Sequence, residues 1–207
     1  MATRHGRRLG GKPAGFDFTS NMRQVCEDMV RRLPELQHID LARVAIAWCK
    51  TRKRVSHGLY ASLTPMRFSG GETTELRNNK KYTVQRLVDD DGREMLYILS
   101  FYLPRFMDTT MSEKLITILH ELWHISPNFD GDIRRHPGRC YAHSHSQQEY
   151  DQQMAELAAR WLMKNPPRSL YEFLGNGLER LQERYGGIFG TRIPQPKLIP
   201  IDTSPGT

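Results

Sequence analysis

Near residue 105 the hydrophobic pattern of this chain changes period, and that change decides what it can fold into. Before it, apolar residues alternate: Val44, Ile46 and Trp48 in one run, with further extended runs over residues 82–88 and 95–103. Alternation places such side chains on one face of a strand. After it, Leu115, Ile118, Leu122 and Ile125 recur three and four residues apart, the spacing of one helix face. A helix, then strands, then helices predicts an α+β domain rather than alternating βαβ units.

The ends of the elements carry local signals. Ser20 is a candidate N-cap for a helix bearing Met22, Val25, Met29, Val30 and Leu33, closed by Pro34. Strands are expected at 42–50 and within 58–68. Asp90-Asp91-Gly92 reads as the turn of a hairpin joining 82–88 to 95–103. Thr110-Met-Ser-Glu113 and Ser169-Leu-Tyr-Glu172 are capping-box patterns, and Met154, Leu157, Ala158, Trp161 and Leu162 mark a helix over 148–164. The architecture expected is an N-terminal helix, a small sheet of three or four mostly antiparallel strands, the helix after Thr110, and two C-terminal helices. Residues 1–15 read as a disordered basic arm and 190–207 as a disordered Pro-rich tail, leaving 16–189 as the domain.

Composition sets limits. No apolar run approaches the roughly 20 residues of a membrane span, and no apolar region follows the basic start as in a secretory signal. Cys26, Cys49 and Cys140 are sparse, odd in number and widely spaced, which suits a reducing compartment, and a cytoplasmic location is the default expectation. Of the formal charge of +7, Arg4, Arg7, Arg8 and Lys12 carry +4. Such an arm could contact nucleic acid weakly through residues 4–12 or simply solubilise the terminus.

The chemistry concentrates after the period change. His120-Glu121-Leu122-Trp123-His124 puts two imidazoles one turn apart on a predicted helix, able to converge on one ion, with Glu121 offset by about 100°. That is the HExxH arrangement of two zinc ligands and a general base. On a helical wheel the histidines face away from the stripe of Leu115, Ile118 and Leu122. A catalytic zinc wants a third protein ligand. Asp130, His136, His143 and His145 are candidates, as are Glu149 or Glu156 on the next helix. His136 is favoured, because imidazole is the commonest such ligand and Pro127-Asn-Phe-Asp-Gly131 can turn the chain back. Asp130 then becomes a residue orienting a ligand histidine. Tyr141, His143 or His145 could donate to an oxyanion. Cys140 is a further possible ligand, and Arg134-Arg135 either an anion-binding pair or a solvated turn. Trp48, Trp123 and Trp161 sit on periodic elements and are expected in the core.

The run from His120 to His136, with Pro127, Asp130, Gly131 and Arg135 between, resembles the signature of phage-type zinc metallopeptidases of phages and bacteria, a zincin-like group distantly similar to the SprT-like peptidases. The likeness covers about residues 110–150. It implies a zincin-like fold, His120, His124 and His136 as zinc ligands, and Glu121 as base. Pro127 and Asp130 depart from the metzincin pattern, which has Gly and His there. The expected function is a zinc-dependent metallopeptidase that hydrolyses peptide bonds with a zinc-activated water and a glutamate base. Two alternatives stand beside it: a DNA-associated binding protein with a structural zinc, and a non-peptidase zinc amidohydrolase such as a deformylase. The absence of any CxxC pair disfavours a closed structural site.

Overall fold

The computed structural model describes residues 14–51, 58–135 and 145–201, with side chains from 149 onward in the last stretch. The elements run β1 (Phe16–Asp17), α1 (Phe18–Arg32), β2 (Val44–Lys50), β3 (Ala61–Pro65), β4 (Thr74–Arg77), β5 (Lys80–Val84), β6 (Tyr97–Leu103), α2 (Met111–Trp123), α3 (His145–Met163), α4 (Arg168–Tyr171), α5 (Leu178–Tyr185), β7 (Ile188–Phe189) and β8 (Leu198–Ile201). The protein is α+β, as expected. Among the described residues no helix is long and apolar enough to cross a membrane.

The central sheet has the order β2-β6-β3. It is mixed, not mostly antiparallel: β2 and β6 run parallel from Val44↔Tyr97 to Lys50↔Leu103, and β3 lies antiparallel on the other side of β6. Alternation sorts its faces. Val44, Ile46 and Trp48 with Tyr97, Leu99 and Phe101 join α1 and α2 in the main core, while Ala45, Ala47 and Ile98 pack with Met66 and Met95 on the other face. The α2 stripe is fully spent on the core. Leu115, Ile118, Leu119 and Leu122 are each at most 2 % exposed, worth about 2 kcal/mol apiece, which fixes how α2 is rotated about its axis.

The expected hairpin is a correction. The turn forms, with Gly92 N–H donating to the Asp89 carbonyl and a Val88↔Glu94 bridge. The flanking runs then diverge into different sheets: β6 enters the central sheet, and β5 joins β4 and β8 in an antiparallel one. The hairpin that does form is β4–β5, whose two-residue turn Asn78-Asn79 holds φ of 49° and 60°, the left-handed pair that a type I′ turn requires and Asn tolerates. The stretch from 190 is not a plain tail either. Trp48 N–H donates to the Thr191 carbonyl, Thr191 N–H to Thr19 Oγ1, and β8 pairs with β5. Residues 188–201 therefore strap α1, the open edge of β2 and β5 together. The arm at 1–13 and residues 202–207 lie outside the described residues.

Two ends also differ. Asp17, not Ser20, caps α1, its carboxylate accepting from Ser20 N–H. The last helix breaks into α4 and α5 around Gly175-Asn176-Gly177, and the Ser169 capping box does not form. The Thr110–Glu113 box forms in both halves, so α2 starts where its sequence says.

Candidate metal centre

Both histidines sit at the C-terminal end of α2, with His120 in its last turn and His124 at the C-cap, still in helical conformation. Because the apolar stripe faces the sheet, both rings emerge half-buried on the opposite side. They converge there: His120 Nε2 and His124 Nε2 are 3.0 Å apart, with the rings nearly perpendicular. A tetrahedral zinc with Zn–N bonds near 2.0–2.1 Å needs its two nitrogens about 3.3 Å apart. A few tenths of an ångström of side-chain movement reaches that separation, so the pair fits one zinc ion. Burial lowers the His120 pKa, with Asp151 acting the other way. The neutral imidazole that can coordinate is thus favoured.

Glu121 points elsewhere, as its 100° offset requires. It is 9 % exposed, and burial pushes its pKa up to about 7, with the backbone amide of Leu63 opposing the shift. That amide is available for a structural reason. In the β3–β6 ladder Tyr102 N–H donates to Tyr60 and Met66 N–H to Leu96. The intervening residues Ala61, Leu63 and Pro65 therefore turn their backbone groups away from β6, toward α2. A carboxyl whose pKa burial raises to about 7, adjacent to His120 along α2, can take and return a proton near neutral pH.

Tyr150 of α3 is the site residue that sequence reasoning missed. Its ring lies edge-on to His120 at 4.8 Å and stacks on His124 at 6.0 Å, and its hydroxyl donates a long bond of 3.4 Å to the His120 carbonyl. Burial, then the nearby Glu121 charge, push the phenol's pKa up. It remains a neutral donor near neutral pH. On sequence Tyr150 shares a helix face with Met154, Leu157 and Trp161 and reads as core. Only the packing of α3 on α2 reveals its place.

After His124 the chain turns back as anticipated. Ile125 bridges Ile133, Ser126 N–H donates to Asp132, and Arg134 N–H donates to the His124 carbonyl at 2.7 Å. Tyr97, fully buried, staples the loop: its hydroxyl donates to the Asp132 carbonyl and accepts from Gly131 N–H. Gly131 has φ of 90°, and a Cβ there would fall 2.5 Å from Arg67 Cγ, so glycine is required for both reasons.

The remaining expectations sort as follows. Asp130 Oδ1 accepts from Asp132 N–H, and its Cβ lies against Gly71, inside this loop. Arg134 Nε donates to the Trp123 carbonyl with its guanidinium 4.2 Å over that ring, and Arg135 pairs with buried Asp132. Glu149 is exposed, and Glu156, also exposed, bonds Gln152 on the outer face of α3. Trp161 and Trp48 are core residues, whereas Trp123 is half-buried beneath Arg134. His136, Cys140, Tyr141 and His143 lie outside the described residues, as does the His145 side chain. Among the described residues no set of three or more His, Cys, Asp or Glu is gathered that could hold a metal ion. Comparison with family models, curated proteins and solved structures returns no match to any of them.

Proposed function

We propose that this protein is a zinc metallopeptidase of zincin-like fold, acting on protein or peptide substrates. The observation that carries the reading is the convergence of His120 Nε2 and His124 Nε2 to 3.0 Å on the helix that also carries buried Glu121, whose pKa is pushed up to about 7. His136 is the third ligand in this reading. It follows Arg134, which already bonds the His124 carbonyl, by two residues, a span of at most about 7 Å.

Zinc held by these imidazoles supplies Lewis acidity, acidifying water and polarising a carbonyl. Glu121 takes the proton from the attacking water as the C–O bond forms, and returns it to the amine nitrogen as the C–N bond breaks. Burial works against ionisation and so helps the carboxyl give the proton back, while a nearby zinc charge would help it take one. The Leu63 amide holds the carboxyl in place between them. Tyr150 offers its O–H to the oxygen on which negative charge develops, releasing the long bond to the His120 carbonyl. The 3.4 Å bond is weak enough to be exchanged.

Glu121→Gln tests the reading. It should retain zinc at near wild-type occupancy and degrade a mixture of unfolded proteins at least about 10²–10⁴-fold more slowly. Equal rates for the two proteins would refute it, as would a purified wild type that takes up no zinc on reconstitution.

A further inference from the structure

At the far end of the parallel pair β2–β6, a groove of about 390 Å³ opens between the strand ends, α5 and the strap at β7. That volume is at the small end of ligand pockets. Its chemistry is lopsided. The walls set the apolar side chains of Leu103, Leu178 and Phe189 beside the amide of Gln182, and the rim carries two cations, Lys50 and Arg192, with no acidic residue anywhere in the lining. Neither cation has an ion-pair partner among the described residues; Arg192 instead stacks 4.7 Å over the Trp48 ring. Trp48 is 9 % exposed, and its indole N–H is buried without a hydrogen-bond acceptor.

An unpartnered buried donor is an unmet demand for an acceptor. The indole N–H abuts the groove wall at Gly190: a Cβ there would stand 3.1 Å from Trp48 Nε1 and 2.6 Å from Thr19 Oγ1. A side chain at position 190 would fill the space beside that edge of the indole. A ligand that satisfies the site needs an apolar body for the walls and an oxyanion for the two cations and the N–H. A carboxylate offers two oxygens that can accept from the cations and the N–H. We infer that this groove binds a carboxylate carried on an apolar body, such as the C-terminus of a peptide ending in an apolar residue or a short fatty acid. The inference stands apart from the metal centre.

Calorimetric titration of the full, metal-free chain tests it, free of carboxylate binding to zinc. The probes are N-acetyl-Phe-Leu as free acid and as amide, octanoate, octanol and inorganic phosphate. At least one acid should bind at least about tenfold more tightly than its neutral counterpart. Lys50→Gln with Arg192→Gln, both on exposed rim residues, should erase that preference, and Trp48→Phe should weaken the acid without restoring the neutral form. Binding of the dipeptide acid without octanoate assigns a peptide terminus, and the reverse a fatty acid. The inference is overturned if no acid binds up to about 10 mM, if acid and neutral forms bind alike, if the rim variant keeps the preference, or if phosphate alone binds as tightly as either acid.

Discussion

In the metal-free protein Glu121 has a pKa pushed up to about 7 by burial, against an ordinary 4.5. The folded state therefore holds the proton more tightly than the unfolded one, the reverse of a salt-bridged carboxylate. At pH below about 4.5 the residue is protonated in both states and burial carries no ionisation penalty. Between about 4.5 and 7 the unfolded chain ionises and the folded one resists, so stability falls as pH rises. Above about 7 the penalty is complete. At 1.36 kcal/mol per pKa unit it is about 1 kcal/mol at pH 5 and about 3 kcal/mol at pH 8. Glu121→Gln removes this dependence, and its oxygen can still accept from Leu63. Any pH-independent effect of the amide, and the titration of every other group, cancels when the wild type and variant are compared at both pH values. The variant should thus gain about 2 kcal/mol relative to wild type between pH 5 and pH 8, measured by urea unfolding of metal-stripped protein. Zinc at pH 8 should shrink that gap, because a nearby cation favours the charged carboxyl. A relative stability that changes by less than about 0.5 kcal/mol over this range would show that Glu121 is not titrating in a buried environment.

His136→Ala should weaken zinc binding far more than Asp130→Asn, since loss of an orienting partner typically changes affinity by only about 10–100-fold; competition against a chromophoric chelator reads both, and a larger effect at Asp130 would move the third ligand there. Tyr150→Phe should keep zinc and KM while lowering kcat by about 10²-fold, and an unchanged kcat would leave Tyr150 as packing alone. Tyr97→Phe removes the hydroxyl that bonds both Asp132 and Gly131, orphaning the buried Gly131 N–H while the Asp132 carbonyl keeps its bond from Ser126 N–H. It should destabilise the protein by about 1–3 kcal/mol in urea unfolding.

What the chain reveals on reading depends on how local the signal is. The start of α2, its core-facing stripe and the opposite placement of His120 and His124 all follow from residues within two turns of one another, and all appear in the structure. So does the return after His124, which Pro127, Asn128 and Gly131 encode locally. What was not legible depends on distance. The parallel pairing of β2 with β6 leaves no mark on either strand. Leu198-Ile-Pro-Ile201 looks like part of a Pro-rich tail until Ile201 is seen opposite Lys81. Ser20 and Asp17 are both competent caps, and the burial of Phe18 draws the helix start back to the earlier one. The Leu63 amide could not be anticipated from side-chain chemistry, because it is a backbone group exposed by strand register.

The strap formed by residues 188–201 also sets an order of events during biosynthesis. The strands β4 and β5 leave the ribosome early, but their third strand is synthesised more than a hundred residues later. Until then the nascent chain carries two bare sheet edges, on β5 and on β2, at its most vulnerable stage. Exposed Leu76 at 69 % lies on the same sheet, and open edges of this kind template pairing with other chains. Expression that stalls or terminates before residue 188 should yield a sticky, chaperone-dependent product even though the whole of α2 is already present.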